Sequence, residues 1–303
     1  MLSPFNRPVP IGELAALTGA LLWAIASVLY GRVGQRIPAL LLNFLKGAIA
    51  ITLLVLTLLS QRVLFPPVAA TVVGGLWLSG VVGIGLGDTA YLMSLNQLGV
   101  RRALLLETLA PPIAAILAGL TLGEHLSRGA IAGIGITMLG VGWVILERTP
   151  TATLAPPLNR MGLVWGLLAE LAQGSGAVLS RQALADDAMT PLWSSLIRLV
   201  GGEMILVVLL IMNRFRGQTG GAIAWTQRGI TAIALAAFGG TYLGIWCQQT
   251  ALKFAPTGIA QTLLATSPLF VLPIVALLGE KITLRSLLGV AIALVGIALL
   301  FNS

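Results

Sequence analysis

Ten apolar segments, each about as long as a helix needs to cross a bilayer, dominate this sequence. They span residues 14–30, 38–59, 68–96, 103–122, 129–146, 161–179, 191–212, 229–252, 258–278 and 284–301. Hydrophobic residues make up 57% of the 303 residues and charged residues 9%, which is more apolar surface than a soluble domain buries. The sequence therefore predicts an all-α, multi-pass protein of the cell membrane, in contact with the lipid bilayer.

The formal net charge of +8 does not indicate nucleic-acid binding. Most Lys and Arg residues stand at the ends of apolar segments, where membrane proteins usually carry them. The single cysteine, Cys247, excludes an intrachain disulfide, and the single histidine, His125, excludes His-rich metal sites. We expect no cofactor, no metal and no nucleic-acid partner.

A skeleton of five residues occurs twice in the chain with identical spacing. In the first copy, Pro112 is followed after 11, 12, 21 and 28 residues by Gly123, Glu124, Gly133 and Gly140. The second copy, 156 residues further on, consists of Pro268, Gly279, Glu280, Gly289 and Gly296. An offset of about half the chain indicates an internal duplication.

One compositional break separates the two copies. Residues 147–160 read ERTPTATLAPPLNR and contain no apolar run. We therefore predict a first five-helix repeat over 1–147, a linker over 148–160 and a second five-helix repeat over 161–303. Because five is an odd number of crossings, the first repeat ends on the opposite side of the membrane from where it begins. The second repeat therefore starts on that opposite side and is inverted in the bilayer. Inverted repeats place a site near the membrane midplane, between two halves that rock around it during alternating access.

The motifs of each repeat carry a family resemblance. A proline is followed by Leu-Gly-Glu at the end of the fourth segment and by a glycine-rich fifth segment. This order resembles the EamA-type permeases of the drug/metabolite transporter superfamily. The resemblance extends to Trp23 and to Lys46, where the family usually carries a basic residue, and Arg198 is similarly placed in the second repeat. It implies secondary transport of small metabolites, often export, without ATP.

Charged side chains inside the apolar segments are the strongest functional signal. Placing Lys, Arg or Asp at a helix centre costs about 2.5–3.5 kcal/mol on insertion scales, so such residues usually face a cavity or a partner. The charged residues within the segments are Lys46, Asp88, Glu107, Glu170, Arg198 and Glu203. The basic groups suit a substrate carboxylate or phosphate, and the acidic groups suit an amine. For Lys46 and Arg198, an ion pair between helices or snorkelling to the interface is an equal alternative.

Proton coupling requires a carboxyl group that titrates near neutral pH, which burial favours. Glu170 is the first candidate and Glu107 the second. Glu107 precedes Pro111 and Pro112, which either open the helix beside the cavity as part of a gate or only kink it. Pro268 is the matching position in the second repeat.

Aromatic and amide side chains form a second signal. Tyr242, Trp246 and Gln249 recur at i, i+4 and i+7, so a regular α-helix presents them on one face. Such a stripe can stack a flat substrate and orient it by hydrogen bonds. The depth of Trp246 disfavours an interfacial aromatic belt. The other neutral residues expected at the site are Trp23, Asn43, Gln173 and Gln261, of which Trp23 suits packing equally well.

The fifth and tenth segments carry repeated glycines and no internal charge. Glycines at these spacings let helices approach closely, which predicts packing within the protein or a homodimer contact rather than the site. Glu124 and Glu280 each follow an apolar segment and precede a short loop. We expect both to pack and form hydrogen bonds in the turn.

These patterns predict a secondary-active exporter of small metabolites, above all amino acids or similar zwitterions, because acidic, basic and aromatic groups all reach the cavity. The alternative is a multidrug exporter of aromatic cations, favoured if the glutamates dominate and Lys46 and Arg198 are paired off. A channel or a polytopic membrane enzyme is disfavoured. The adjacent acids Asp186 and Asp187 lie in a loop, and no catalytic signature accompanies them.

The orientation of the termini is left open by two opposing indications. Outside the apolar segments, 5 basic residues lie on the same side of the membrane as the N-terminus, and 11 lie on the opposite side. The positive-inside rule then places both termini outside the cell. The family resemblance implies cytoplasmic termini.

Overall fold

The computed structural model describes residues 10–33, 37–62, 64–146, 159–215, 226–277 and 283–302. All regular secondary structure in these ranges is helical and forms ten spans. The continuous spans are α1 Ile11–Val33, α2 Ala39–Gln61, α3 Ala70–Leu98, α5 Arg128–Leu146, α6 Arg160–Leu184, α7 Pro191–Phe215, α8 Gln227–Phe254 and α10 Leu284–Phe301. The two broken spans are α4, with α4a Val100–Glu107 and α4b Ala110–Leu122, and α9, with α9a Thr257–Leu264 and α9b Ser267–Leu277.

These spans follow the ten predicted apolar segments to within a few residues at each end. Within the described ranges, nine helices are long and apolar enough to cross a bilayer, and α5 adds a shorter apolar stretch over Arg128–Val144. Large apolar side chains on the outer surface, such as Leu120 and Leu139, remain mostly exposed in the protein and therefore meet lipid chains. The prediction of a multi-pass α-helical membrane protein is confirmed.

Two spans contain wide, π-helical segments: Gly80–Asp88 in α3 and Ala237–Leu243 in α8. A π-helical turn holds more residues than an α-helical turn, so it shifts the following side chains around the helix axis. Nδ2 of Asn43 in α2 donates hydrogen bonds of 2.9 Å to two groups of α3, the carbonyl of Ile84 and the hydroxyl of Thr89. These bonds attach α2 to the widened segment.

The spans α4 and α9 are each interrupted near the middle, at residues 108–109 and 265–266. Pro111 and Pro112 lie in the first turn of α4b, and Pro268 lies in the first turn of α9b. Proline suits this position because the N–H group that it lacks would have no helical partner there. The prolines therefore begin new helices rather than kink a continuous one.

The spans pack with approximate two-fold symmetry. α1 packs against α8 and α9, and correspondingly α6 packs against α3 and α4. α2 packs against α7, its counterpart in the other half. The first helix of each half is thus held by the third and fourth helices of the other half. With five spans per half, the second half is inverted, and the predicted fold of two inverted five-helix repeats is confirmed.

The spans α5 and α10 pack closely against each other. A Cβ atom on Gly296 would lie 2.8 Å from the carbonyl oxygen of Gly133, and one on Gly289 would lie 2.8 Å from Cγ2 of Val144. Larger side chains would push the two helices apart. The glycines therefore serve helix packing, as their spacing predicted.

Several predicted features lie outside the described residues. They are residues 148–158 of the linker, Glu280, and the basic residues Arg7, Arg36, Arg148, Arg216 and Lys281. The first Leu-Gly-Glu motif, which ends at Glu124, lies within the described residues.

Candidate functional site

A cavity lies between the two halves, at the level where α4 and α9 are interrupted. Including the part that is open to solvent, its volume is about 720 Å³. None of the described lining residues belongs to α5 or α10. The predicted site residues that line the cavity are Trp23, Lys46, Asp88, Glu107, Glu170, Gln173, Arg198 and Gln261.

Lys46 of α2 is paired within the first half. Its Nζ atom forms an ion pair with Oδ2 of Asp88, at the end of the widened segment of α3. The ammonium group also lies 5.7 Å from the ring centroid of Trp23 and 5.9 Å from that of Tyr30, within cation–π range. Oδ1 of Asp88 accepts a 3.3 Å hydrogen bond from Gln173 of α6. The pair is buried and linked to both halves.

Arg198 of α7 holds the corresponding place in the second half but has a different partner. Its Nη1 atom donates a 3.0 Å hydrogen bond to Oε1 of Gln248 in α8. The residue is 1% exposed, and its Nε atom has no hydrogen-bond partner in the described part of the chain. Among the described side chains, no carboxylate oxygen lies within 4.0 Å of this guanidinium group. A neutral amide therefore contacts Arg198 where a carboxylate contacts Lys46.

Glu107 and Glu170 add two carboxyl groups to the cavity wall. Glu107 ends α4a at the break and accepts a long hydrogen bond of 3.4 Å from Oγ of Ser267. Glu170 of α6 is 2% exposed, and its Oε2 atom has no described hydrogen-bond partner. Among the described side chains, neither carboxyl group has a Lys or Arg nitrogen within 4.0 Å. Both can interact with a cationic group that enters the cavity.

A cluster of aromatic rings lies beside these charges, and its member Trp23 lines the cavity. The ring of Trp23 lies 5.7 Å from that of Tyr91 and 6.4 Å from that of Tyr30, centroid to centroid. The hydroxyl of Tyr30 forms a 3.0 Å hydrogen bond with the hydroxyl of Thr241 in the second half. Gln261 of α9a lines the cavity close to the break. Trp23 therefore lines the cavity and also packs against other rings, two roles that the sequence left as alternatives.

Two of the predicted polar residues lie next to the cavity but not on its wall. Asn43 is buried and directs its amide nitrogen to the backbone of α3. Glu203 of α7 is 8% exposed and packs against Gly47 of α2, near Lys46. Its two carboxylate oxygens have no hydrogen-bond partner among the described groups. Sequence position alone did not separate these residues from the cavity wall.

The predicted stripe on α8 faces neighbouring helices and not the cavity. The hydroxyl of Tyr242 forms a 2.7 Å hydrogen bond with the hydroxyl of Thr57 in α2. Trp246 packs against Tyr242 at a centroid distance of 6.2 Å. Oε1 of Gln249 accepts a 2.6 Å hydrogen bond from Oγ of Ser194 in α7. These three side chains pack α8 against α2 and α7.

The side chains of α8 that line the cavity belong to residues one position before those of the predicted stripe. Thr241, Ile245 and Gln248 line it, with the same i, i+4 and i+7 spacing as the predicted stripe. The π-helical segment Ala237–Leu243 contains Thr241 and changes the angular register of the residues that follow it in α8. Gln248 is therefore the principal residue that sequence reasoning missed. Its signal was a second polar face with the same period.

Glu124 and the pair Asp186 and Asp187 lie away from the cavity. The carboxylate of Glu124 accepts hydrogen bonds from Nε of Arg181 and from the backbone N–H of Thr257, both in the second half. Its contacts therefore join the two halves rather than only closing its own turn. Oδ1 of Asp186 accepts a 3.0 Å hydrogen bond from the backbone of the same loop, and Asp187 is exposed.

The fold and the site together define a class of protein. Two inverted five-helix repeats enclose a cavity with acidic, basic and aromatic side chains at the level of the helix breaks. Interrupted helices beside a midplane cavity are typical of secondary transporters. The protein is therefore a membrane transporter by class.

The family model of EamA-like transporters matches this chain twice, over residues 10–146 and residues 160–302. The chain belongs to the EamA-like transporter family. This confirms the resemblance drawn from the proline, Leu-Gly-Glu and glycine pattern.

Individual relatives are more distant. Protein LicB of Haemophilus influenzae is 24% identical over 213 residues, which cover 67% of this chain and 70% of LicB. One solved crystal structure matches with a TM-score of 0.75 at 15% identity and covers 95% of both chains. At this identity the likeness concerns the fold alone.

Proposed function

We propose that this protein exports small zwitterionic metabolites, above all amino acids, by alternating access. One observation carries the proposal: among the residues that the structure describes, the cavity contains a buried cation without a carboxylate partner, Arg198, and two carboxyl groups without a cationic partner, Glu107 and Glu170. A zwitterion supplies the missing partner to both. Its carboxylate would bind Arg198, and its ammonium group would bind one or both glutamates.

The rest of the cavity wall suits the side chain of a small amino-acid substrate. Trp23, Ile245 and Leu264 offer apolar surface, and Gln248 and Gln261 offer neutral hydrogen-bonding groups. Arginine binds carboxylates well because its planar donors match the two carboxylate oxygens. The export direction follows the resemblance to the EamA-type permeases.

Glu170 is proposed as the group that carries a coupling proton, with Glu107 as the second candidate. Glu170 is almost completely buried, and it interacts electrostatically with Glu107 and Asp88 across the cavity. An isolated charge in such a place is costly, so the carboxyl group gains from binding either a proton or a cationic substrate group. Competition between these two ligands would couple proton movement to substrate movement.

The coupling proposal predicts a specific loss in the variant Glu170→Gln. Its substrate counterflow in proteoliposomes should become nearly independent of pH between pH 5.5 and 8.5, whereas the wild-type rate should change with pH. Net transport driven by a pH gradient should disappear. The control is Glu203→Gln, a buried acid outside the cavity wall. A wild-type pH profile in Glu170→Gln would overturn this role.

Substrate class is tested by counterflow in proteoliposomes with a panel of labelled compounds. The panel pairs neutral amino acids with the amines that lack their carboxylate, including aromatic amines. We expect saturable exchange of one or more amino acids and much weaker exchange of the matching amines. Exchange of the amines without exchange of any amino acid would overturn the zwitterion proposal.

A second candidate is export of aromatic cations. It is favoured by the excess of acidic groups on the described cavity wall, because the two glutamates there face one available cation and Lys46 is neutralised by Asp88. An aromatic cation would stack on Trp23 and pair with Glu107 or Glu170. It predicts the reverse result in the same panel, and resistance of an overexpressing strain to cationic dyes rather than to toxic amino-acid analogues.

A further inference from the structure

A dense polar cluster joins the two halves at the membrane side on which α6 ends. Nε of Arg181 donates a 2.8 Å hydrogen bond to Oε1 of Glu124, and Nη1 donates bonds of 2.8 Å to the carbonyls of Leu252 and Lys253. Oε2 of Glu124 accepts a 2.8 Å hydrogen bond from the backbone N–H of Thr257. We call these five residues the Arg181 cluster, and this membrane side the Arg181 side.

The cluster connects four helix ends. Glu124 follows α4b of the first half, while Arg181 lies in the last turn of α6, Leu252 and Lys253 end α8, and Thr257 begins α9a. Helix ends leave backbone carbonyl and N–H groups without helical partners. The two side chains satisfy such groups here, and water can satisfy the same groups if the helices separate.

A buried apolar layer lies directly below the cluster. Four of its residues lie within about a turn of a cavity residue on the same helix, on the Arg181 side: Ala16 beyond Gly19, Ala177 beyond Gln173, Ala251 beyond Gln248 and Ile259 before Gln261. All four are at most 5% exposed. Apolar side chains packed in this way exclude water. The cavity is therefore closed on this side by an apolar layer under a polar one.

Two more hydrogen bonds and one ring contact strengthen the closure. Nζ of Lys253 donates a 2.6 Å hydrogen bond to the carbonyl of Met189 in the loop after α6. The indole N–H of Trp193 in α7 donates a 2.9 Å hydrogen bond to the carbonyl of Leu64, in the loop after α2. The ring of Phe65 packs edge-on against Trp193 at 5.0 Å. The Lys253 bond lies within the second half, whereas the Trp193 contacts join α7 of the second half to the loop after α2 of the first half.

The two ion pairs of the protein's described part differ in their access to water. The side chains of Lys46 and Asp88 are 2% and 8% exposed, whereas those of Arg181 and Glu124 are 26% and 15% exposed. Separating the first pair would leave two charges buried, which is costly. Separating the second would return both groups to water at modest cost.

We propose that the Arg181 cluster is the gate of the Arg181 side, which opens and closes once in each transport cycle. Opening separates Glu124 on α4b from the ends of α6, α8 and α9a. The substrate then leaves or enters through the space that the apolar layer fills when the gate is closed. Arg181 and Glu124 are thus transport residues that never contact the substrate in the cavity.

The test measures access to the cavity and needs no knowledge of the substrate. The only cysteine, Cys247, is replaced by Ser, and Leu264→Cys places a single thiol on the cavity wall. A membrane-impermeant maleimide is applied to intact cells and to inverted vesicles. A separate Ala188→Cys protein, labelled in the exposed loop after α6, identifies the preparation that presents the Arg181 side.

Adding Arg181→Gln should raise the labelling rate of the cavity thiol from the Arg181 side on the order of tenfold, which equals about 1.4 kcal/mol. Labelling from the other side should not rise. Glu124→Gln should give a smaller increase, because its amide oxygen still accepts the Thr257 N–H. The matched control is Arg128→Gln, which removes an exposed charge on the same side.

Two results would overturn the gate. One is an unchanged labelling rate from the Arg181 side in both Arg181→Gln and Glu124→Gln, with each protein monodisperse in detergent. The other is an equal rise from both sides, which means that the variants loosen the whole bundle. If Arg181→Gln does not fold, Glu124→Gln and Arg181→Lys decide by the same measurement.

Discussion

The two halves of the cavity share one scaffold but differ in charge. The second helix of each half carries a buried cation, and the third helix supplies its partner. In the first half Asp88 forms an ion pair with Lys46. In the second half Gln248 forms a neutral hydrogen bond with Arg198. The group in direct contact with each cation therefore differs: a carboxylate neutralises Lys46, whereas the amide at Arg198 leaves room for an anionic ligand.

The energetics of burial explain why this difference matters. Removing a charge from water costs several kcal/mol per ion, and a close partner of opposite charge offsets much of that cost. Asp88 offsets it for Lys46. An amide offsets less of it for Arg198, so an anionic group that enters the cavity gains the remainder. We infer that the buried ion pair of the first half stabilises the fold, and that Arg198 of the second half binds the substrate carboxylate.

The largest expected effect concerns the first half. Lys46→Met leaves Asp88 buried without its cation, which should lower the free energy of unfolding by about 3–5 kcal/mol. Thermal unfolding in detergent measures this loss. The double variant Lys46→Met, Asp88→Asn removes both charges and should regain most of the stability. A single variant as stable as the wild type would contradict the structural role of the pair.

The next effect concerns the second half. Arg198→Gln should weaken binding of a carboxylate-bearing substrate by about 2–5 kcal/mol, because one partner of a buried charge pair is lost. Counterflow of the best amino acid of the panel measures it. Arg198→Lys should retain part of the activity, since it keeps the charge but not the planar donors. Equal losses in Arg198→Gln and Lys46→Met, with both folded, would remove the distinction between the halves.

Most of the fold could be predicted because each span carries its own apolar signal, and the repeat spacing from Pro112 to Gly140 recurs from Pro268 onward. The breaks in α4 and α9 could not. Pro111 and Pro112 are compatible with a kink in one helix and with the first turn of a new one. Only the packing of α4 and α9 beside the cavity distinguishes the two.

The site was predictable by residue type and not by pairing. Buried charges such as Lys46, Asp88 and Arg198 stand out in apolar segments. That Lys46 meets Asp88, 42 residues later, depends on how α3 is rotated. On α8, Gln248 and not Gln249 lines the cavity, after a π-helical segment that changes the angular register of the helix. A period of 3.6 residues does not carry this shift.

The most direct test of the central claim places an acidic side chain beside Arg198 in the second half, as Asp88 stands beside Lys46 in the first half. In Gln248→Glu, the new carboxylate can pair with Arg198 and compete with the substrate. Amino-acid counterflow should fall about tenfold, which equals about 1.4 kcal/mol, and Gln248→Ala should lose less because it adds no charge. Undiminished counterflow in a folded Gln248→Glu protein would contradict the claim that an unpaired Arg198 binds the substrate.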